Sequence, residues 1–362
     1  MRVGIGAVVG ITGGPATYAR ELVAALAGLG GGDRWVVFTD RPDAFAHLDL
    51  ERVAVPLRRT WQQVTWDHAR LPGLVARHGV QLYHGTKNVL PWRCPVPAVV
   101  TVHDLAVYAC PETFAWPQRL HFRLCVPPSV ARAARVIADS AHARDDLVGR
   151  FHLDPARVPV VPLGLPAAHR QAPDPAALAA LRAHHGLGNR VVVCAGTVQP
   201  RKRVERVIEA FVRAGGVARG WQLAIAGRLR PGYHPAWLAA LPPGVRWLGP
   251  LADAELRALY ATAAVAMSAS DYEGFGLTLL EAMAAGCAVI AVGVTSVPEV
   301  VGDAGVLVAR SDAGLLADVL DPLLDDETRR LALGARARAR AASFTWEATA
   351  RRTRAVYAEI LA

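Results

Sequence analysis

The chain has 362 residues, 40 Lys and Arg against 31 Asp and Glu for a formal net charge of +9, and is 52% hydrophobic and 20% charged. That length leaves room for two domains of roughly 100–200 residues, each with its own core, and excludes disorder as the chain's main state. No window holds the roughly 18 consecutive apolar residues of a membrane span and no long apolar stretch follows Met1-Arg2, so the sequence reads as cytoplasmic.

In chain order, Val3–Val9 predicts a first strand, the loop Gly10 to Pro15 a glycine turn, and Thr17–Leu29 a helix. Strands follow at Trp35–Thr39, Leu82–His84, Ala98–Val102, Val136–Ala138 and Val158–Val161, with helices at Val64–Arg77, Gln118–Ala134 and His142–Phe151, the last capped by Ser140. Prolines 162, 166, 173 and 175 mark a linker. The pattern then starts over: strands at Val191–Ala195, Gln222–Ala226, Val245–Trp247, Val265–Ser268, Ala288–Ala291 and Val306–Val308, and helices near 203–213, 253–262, 277–285 and 312–324. Arginine-rich helical sequence fills Asp326 to Ala362, broken near Ser343-Phe344-Thr345. Alternating strand and helix in two successive blocks is an α/β pattern with parallel sheets, and two Rossmann-like domains facing across a cleft are expected.

Cys94, Cys110, Cys125, Cys194 and Cys287 are odd in number and widely spaced, with no Cys-x-x-Cys pair, which argues against a disulfide framework or a zinc site. The positive excess is arginine, since Lys87 and Lys202 are the only lysines, and residues 1–170 hold 19 basic and 13 acidic side chains against 21 and 18 afterwards. Such a balance suits phosphorylated substrates or an anionic surface, and equally an arginine-rich coding bias.

Four segments carry chemistry. Gly13 and Gly14 sit in the first strand-to-helix loop, where backbone amides approach a phosphate, although the strict Gly-x-Gly-x-x-Gly fingerprint fails at Val9. Gly196-Thr-Val-Gln-Pro-Arg201-Lys202-Arg203 places three cations at the carboxyl end of a strand, where an open α/β sheet holds its ligand; a diphosphate fits them. Glu273-Gly274-Phe275-Gly276-Leu277-Thr278-Leu-Leu-Glu281 sets two carboxylates eight apart around a glycine-rich turn, the second suited to ribose hydroxyls. His103-Asp104 ends a buried-type strand. Plain turns, solvated charges, capping glutamates and a core histidine are the bland alternatives.

In these segments the chain resembles the retaining glycosyltransferases of family four, which have the GT-B fold. Glu273 to Glu281 is similar to the family's Glu-x7-Glu motif, continued by Ala282 to Gly286 and Val297-Pro-Glu to Ala304. Gly196 to Lys202, Val99 to Leu105, Ala138-Asp-Ser140, Val161 to Gly164 and Phe344-Thr-Trp-Glu347 follow in family order over nearly the whole chain. The resemblance implies domains at 1–165 (acceptor side) and 166–345 (nucleotide-sugar side), with 346–362 a helix packing back on the first. It implies His103, Arg201, Lys202 and Glu273 as catalytic residues. Donor binding would fall to Gly13, Gly14, Gly196, Arg201, Lys202, Glu273, Gly274, Phe275, Gly276, Leu277, Thr278 and Glu281. No metal or other cofactor is expected, because cations stand in for one beside the leaving diphosphate; the partners implied are a nucleotide sugar and a saccharide or lipid-linked acceptor, with no nucleic acid.

Four positions depart from the family pattern: Ala269 and Thr278 where proline is common, Asp271 where an apolar residue is usual, and Arg203 where asparagine often follows the lysine. The motif combination is closest to mannosyltransferases of surface-polysaccharide assembly, which gives GDP-mannose as the expected donor and UDP-glucose as the alternative. A non-transferring nucleotide-sugar enzyme remains open, as does an NAD-dependent oxidoreductase, whose ribose Asp40 would suit. Arg58-Arg59-Thr-Trp61 to Trp66 mixes cations and tryptophans in a way that fits an acceptor sugar or peripheral contact with the inner face of the cytoplasmic membrane.

Overall fold

The computed structural model describes residues 1–8, 13–56 and 66–362. The chain divides into two units: unit 1 is Met1–Gly164 with Thr345–Ala362, and unit 2 is Leu165–Phe344.

Unit 1 is built on six parallel strands in the order β3-β2-β1-β4-β5-β6: β1 Arg2–Ala7, β2 Arg34–Thr39, β3 Glu51–Ala54, β4 Leu82–Gly85, β5 Ala98–Val102 and β6 Arg135–Ala138. Central strands such as β5 are buried throughout, as near-continuous apolar runs in a parallel sheet covered on both faces must be. Its helices are α1 Gly14–Gly28, α2 Leu71–Arg77, α3 Ala106–Ala109, α4 Trp116–Arg132 and α5 Ala141–Phe151; Ser140 caps α5, its hydroxyl accepting from the Ala143 amide at 3.1 Å.

Two strands of unit 1 depart from the sequence reading. The edge strand β3 was not expected; it alternates half-buried and exposed residues and lacks the apolar run that marks its neighbours. Val158–Val161 forms only an isolated bridge, Ala138 to Val160, because Pro159 and Pro162 have no amide hydrogen to give a ladder.

Unit 2 repeats the plan with α6 Pro175–His185, β7 Val191–Ala195, α7 Val204–Arg213, β8 Gln222–Ala226, β9 Val245–Gly249, α8 Asp253–Thr262, β10 Val265–Ser268, α9 Leu277–Ala285, β11 Ala288–Val292, α10 Val297–Val301, β12 Val306–Val308, α11 Ala313–Asp325 and α12 Glu327–Ala341. Its sheet order is β12-β11-β10-β7-β8-β9. Numbered from its own first strand that is 3-2-1-4-5-6, the Rossmann order, as in unit 1. Each unit has its own core, around Phe38, Val100 and Val136 in one and Phe211, Ile225 and Leu320 in the other.

The last helix, α13 Trp346–Leu361, belongs to unit 1. Trp346, Val356 and Tyr357 are buried there, and the Tyr357 hydroxyl meets His84 Nδ1 at 2.6 Å. Among the described residues no helix is long and apolar enough to cross a membrane.

Candidate active site

In unit 2, β7 and β10 lie side by side, but the chain leaves β7 toward β8 and leaves β10 toward β11, in opposite directions across the sheet. Ligands of open α/β sheets bind at such a switch point, outside the carboxyl ends of the strands. Two of the four segments singled out above fall here. Lys202 donates to Glu273 Oε1, Arg201 Nη1 lies 3.4 Å from Glu273 Oε2, and the same guanidinium donates to the Tyr272 carbonyl. Burial opposes a charge on Glu273, yet Lys202 and Arg201 beside it, with hydrogen bonds from Lys202 and Ser270, hold its carboxyl down to about 2.

The glutamate's backbone is pinned as firmly as its side chain. The Glu273 amide donates to Thr295 Oγ1 at 3.0 Å, while the Thr295 and Ser296 hydroxyls both donate to the Glu273 carbonyl at 2.9 Å. Arg230 adds a third cation near Arg201; it donates to Gln199 Oε1 at 2.7 Å, and burial followed by the Arg201 charge lowers its pKa. Three cations against one carboxylate leave an excess that suits a diphosphate. At the floor, Gly196 has φ +127°, which a side chain would strain, and the backbone is tightest at Gly227, where a Cβ would stand 1.9 Å from the Gly196 carbonyl oxygen. Gly276 (φ +103°) starts α9 in the left-handed region, so the helix's positive N-terminus opens beside Glu273.

Two of the departures from the family pattern meet each other. Arg203 Nε contacts Asp271 Oδ2 at 2.5 Å, and the Asp271 amide donates to the Arg201 carbonyl at 2.8 Å, tying the two loops together. Arg203 has φ +46°, a conformation that asparagine tolerates better than arginine.

Glu281, one helical turn beyond Thr278, faces a cavity of about 520 Å³ lined by His169, Arg170, Arg257, Tyr260, Glu281 and Arg338, among others. Tyr260 donates to its Oε2 at 3.3 Å and His169 Nε2 stands 3.9 Å from Oε1. Burial pushes the carboxyl up to about 7, with Asp253 adding to the rise and the tyrosine hydrogen bond opposing it. Glu273 is thus held ionised and Glu281 is held near its titration point.

In unit 1, His103 sits at the end of β5 with both ring nitrogens engaged: Nδ1 with Asp139 Oδ2 at 2.7 Å and Nε2 with the Thr86 carbonyl at 2.9 Å. Burial disfavours a charged ring, but the Asp139 carboxylate and the carbonyl, both acceptors, raise its pKa. The Asn88 side chain accepts from the His103 amide at 3.0 Å, and the Tyr18 ring packs edge-on at 4.7 Å. Tyr18 begins a buried relay through Thr101 and His84 to Tyr357 of α13. Asp104 turns the other way, accepting from the Ala106 amide. Gly13 (φ +100°) precedes α1 and its carbonyl accepts from Ala16 and Thr17, with Pro15 in the first turn and open space around Gly14; Val9 to Thr12 lie outside the described residues. Of Arg58–Trp66, residues 58–65 also lie outside them, while Trp66 is 5% exposed and packs in the core, so it meets neither acceptor nor membrane.

Sequence reasoning gave no role to Arg230, Ser270, Thr295, Ser296, Tyr260, His169 or Asp139. Only Asp139 carried a local signal, standing before the capping Ser140 at a strand end.

Two parallel sheets in the Rossmann order, one of them with a cation cluster at its switch point, are the arrangement of the GT-B fold. The family described as "Glycosyl transferases group 1" matches residues 181–340, and "Glycosyltransferase Family 4" matches residues 12–169. The chain belongs to this family, and it is a glycosyltransferase that moves a sugar from a nucleotide sugar. It is 30% identical over 281 residues to the O-antigen chain mannosyltransferase B of Escherichia coli, covering 74% of this chain and 71% of that one. It is 31% identical over 287 residues to a D-inositol 3-phosphate glycosyltransferase of Corynebacterium efficiens, covering 74% and 66%. The fold matches that of Anabaena HepE, solved in complex with UDP-glucose, with a TM-score of 0.78 at 19% identity over 99% of this chain and 100% of that one.

Proposed function

We propose that the protein is a retaining mannosyltransferase that takes mannose from GDP-mannose and delivers it to a saccharide or lipid-linked acceptor in surface-polysaccharide assembly. The observation that carries this reading is the convergence of Arg201 and Lys202 on Glu273 at the β7/β10 switch point. An arriving diphosphate takes over the cations that the glutamate engages. Gly196, without a side chain, leaves it room, and the backbone at Leu277 and Thr278 presents the positive end of α9. Glu273 then accepts sugar hydroxyls beside the amides of Gly274, Phe275 and Gly276, and Glu281 accepts the ribose hydroxyls. Gly13 and Gly14 are assigned to the phosphates and His103 to the sugar, where a hydroxyl would compete with Thr86 for Nε2.

In the transfer, the bond from C1 to the phosphate oxygen breaks while the acceptor oxygen bonds C1 on the same face, and the acceptor's proton leaves on the phosphate oxygen. Stabilising charge on the departing diphosphate is then the main work of Arg201 and Lys202. Mannose is favoured by the Escherichia coli relative's name and by the pairing of a His-Asp-Leu strand end with a Pro-Arg-Lys loop.

The test sets GDP-mannose against UDP-glucose in thermal shift and in product analysis by NMR with a mannose-terminated oligosaccharide acceptor. Stabilisation by GDP-mannose and an α-anomeric product are expected, with Lys202→Met losing at least about a hundredfold in rate. Stabilisation by UDP-glucose alone would replace the donor, an inverted product would remove the retaining mechanism, and an unimpaired Lys202→Met would sink the site.

A further inference from the structure

Strands β5 and β6 are neighbours in register, with Val102 beside Ala138, so the residues that follow them, His103 and Asp139, leave the sheet of unit 1 at the same level. Asp139 is 1% exposed; its Oδ2 meets His103 Nδ1 at 2.7 Å, while its Oδ1 is buried with no hydrogen-bond partner among the described residues. The ring is fixed on its other sides as well. Its Nε2 faces the Thr86 carbonyl at 2.9 Å, the His103 amide donates to the Asn88 side chain, and the Tyr18 ring packs edge-on. Both ring nitrogens thus point at acceptors, which two protons satisfy: one on Nε2 and one between Nδ1 and the carboxylate.

Removing one of these protons leaves a choice. With the last proton on Nε2, a lone pair at Nδ1 would face a buried carboxylate at 2.7 Å. With it on Nδ1, the lone pair at Nε2 faces only an uncharged carbonyl, which repels it less. Asp139 therefore keeps the last proton on its own side of the ring, and Nε2 donates only while the second proton is present. Burial opposes that second proton, but Asp139, the Thr86 carbonyl and Asp104 raise the ring's pKa above its usual value. Burial also raises the Asp139 carboxyl, with His103 opposing the rise. Three other titratable groups stand near the ring among the described residues. Asp104 on the same loop accepts from the Ala106 amide, His84 of β4 is kept neutral with a pKa near 3 by burial and then by His103, and burial pushes the Tyr18 hydroxyl of α1 far up.

We propose that Asp139 is a positioning residue for sugar transfer: it reserves one proton for Nδ1, so that Nε2 donates to a hydroxyl of the transferred sugar only while the ring is doubly protonated. This rests on the reading that sets His103 on the sugar. A hydrogen bond from a charged donor is about twice as strong as one between neutral groups, so transfer follows the charge of the ring.

Nitrogen NMR of the full chain labelled at histidine, with His103 assigned against His103→Gln, reads the ring directly. It is paired with kcat/KM for whichever of GDP-mannose and UDP-glucose is turned over, from about pH 6 to about pH 9. In the wild type, both His103 nitrogens are expected to be protonated at the acid end and Nδ1 alone at the alkaline end, with kcat/KM falling about tenfold between the two states. The Asp139→Asn amide can donate to Nδ1, so that variant is expected to carry its last proton on Nε2, with a flat rate profile about tenfold below the wild-type maximum. A wild-type ring that keeps its last proton on Nε2 overturns the proposal, and this result needs no variant that might fail to fold. An Asp139→Asn profile parallel to the wild type overturns it too. His103→Gln at the wild-type rate would instead withdraw the reading that sets the ring on the sugar, and the proposal with it, whatever the spectra show.

Discussion

The two motif glutamates share a sequence element and have opposite ionisation. Lys202 and Arg201 keep Glu273 charged, so its pairing contributes stability that is present above about pH 4.5 and is lost as pH falls toward 2. Glu281 runs the other way. Its folded carboxyl is raised from 4.5 to about 7, the folded state binds the proton more tightly, and stability falls as pH rises between those values. Glu281→Gln is therefore expected to match the wild type near pH 4 and to exceed it at pH 8 by up to about 3 kcal/mol, while transfer falls. Urea titrations at both pH values check this, and parallel pH slopes in the two proteins would refute it. At Arg203, the exposed contact with Asp271 is worth little and the positive φ carries a cost; Arg203→Asn is expected to change stability by less than about 1 kcal/mol. The charged partners were legible in the sequence because cations and carboxylates have few uses at strand ends. Thr295, Ser296 and Arg230 were not, because only the folded sheet brings the first two to Glu273 and the third to Gln199 and Arg201.

At the level of elements, the runs that became central strands were readable because burial on both faces demands unbroken apolar sequence. β3 escaped because an edge strand needs no such run, and the prolines around Val160 show how an apolar stretch fails to become a strand. Two contacts between elements invite measurement. The loops after β7 and β8 touch backbone to backbone at Gly196 and Gly227, so Gly227→Ala is expected to cost at least about 2 kcal/mol and to disturb the cation loop as well. Its melting temperature and transfer rate should fall together. α13 is joined to the sheet of unit 1 through Tyr357 and His84, a ring that burial, followed by the nearby His103, keeps neutral with a pKa near 3. Tyr357→Phe leaves Nδ1 of that ring without its buried partner, and a loss of about 1–3 kcal/mol is expected by denaturant titration.

Across the whole molecule, two sheets of the same strand order were built from unrelated-looking sequence, each on its own core. Among the described residues, cation density sets the two switch points apart: Arg201, Lys202 and Arg230 gather in unit 2, while unit 1 has Lys87, near Asp67 and Asp40, and a histidine already satisfied by a carboxylate and a carbonyl. Calorimetry with and without a nucleoside diphosphate is therefore expected to raise the melting of unit 2. A rise confined to unit 1 would place the donor elsewhere.

The return of α13 to unit 1 also has a consequence in time. A ribosome completes the sheet of unit 1 by Gly164, yet the helix that buries Trp346, Val356 and Tyr357 against it emerges only after all of unit 2. At about 5–20 residues per second, the roughly 200 intervening residues take about 10–40 s. For that interval the nascent first unit carries an uncovered apolar seam and a His84 whose Nδ1 has yet to meet Tyr357, while the second, continuous in sequence, has all its residues before the first is sealed.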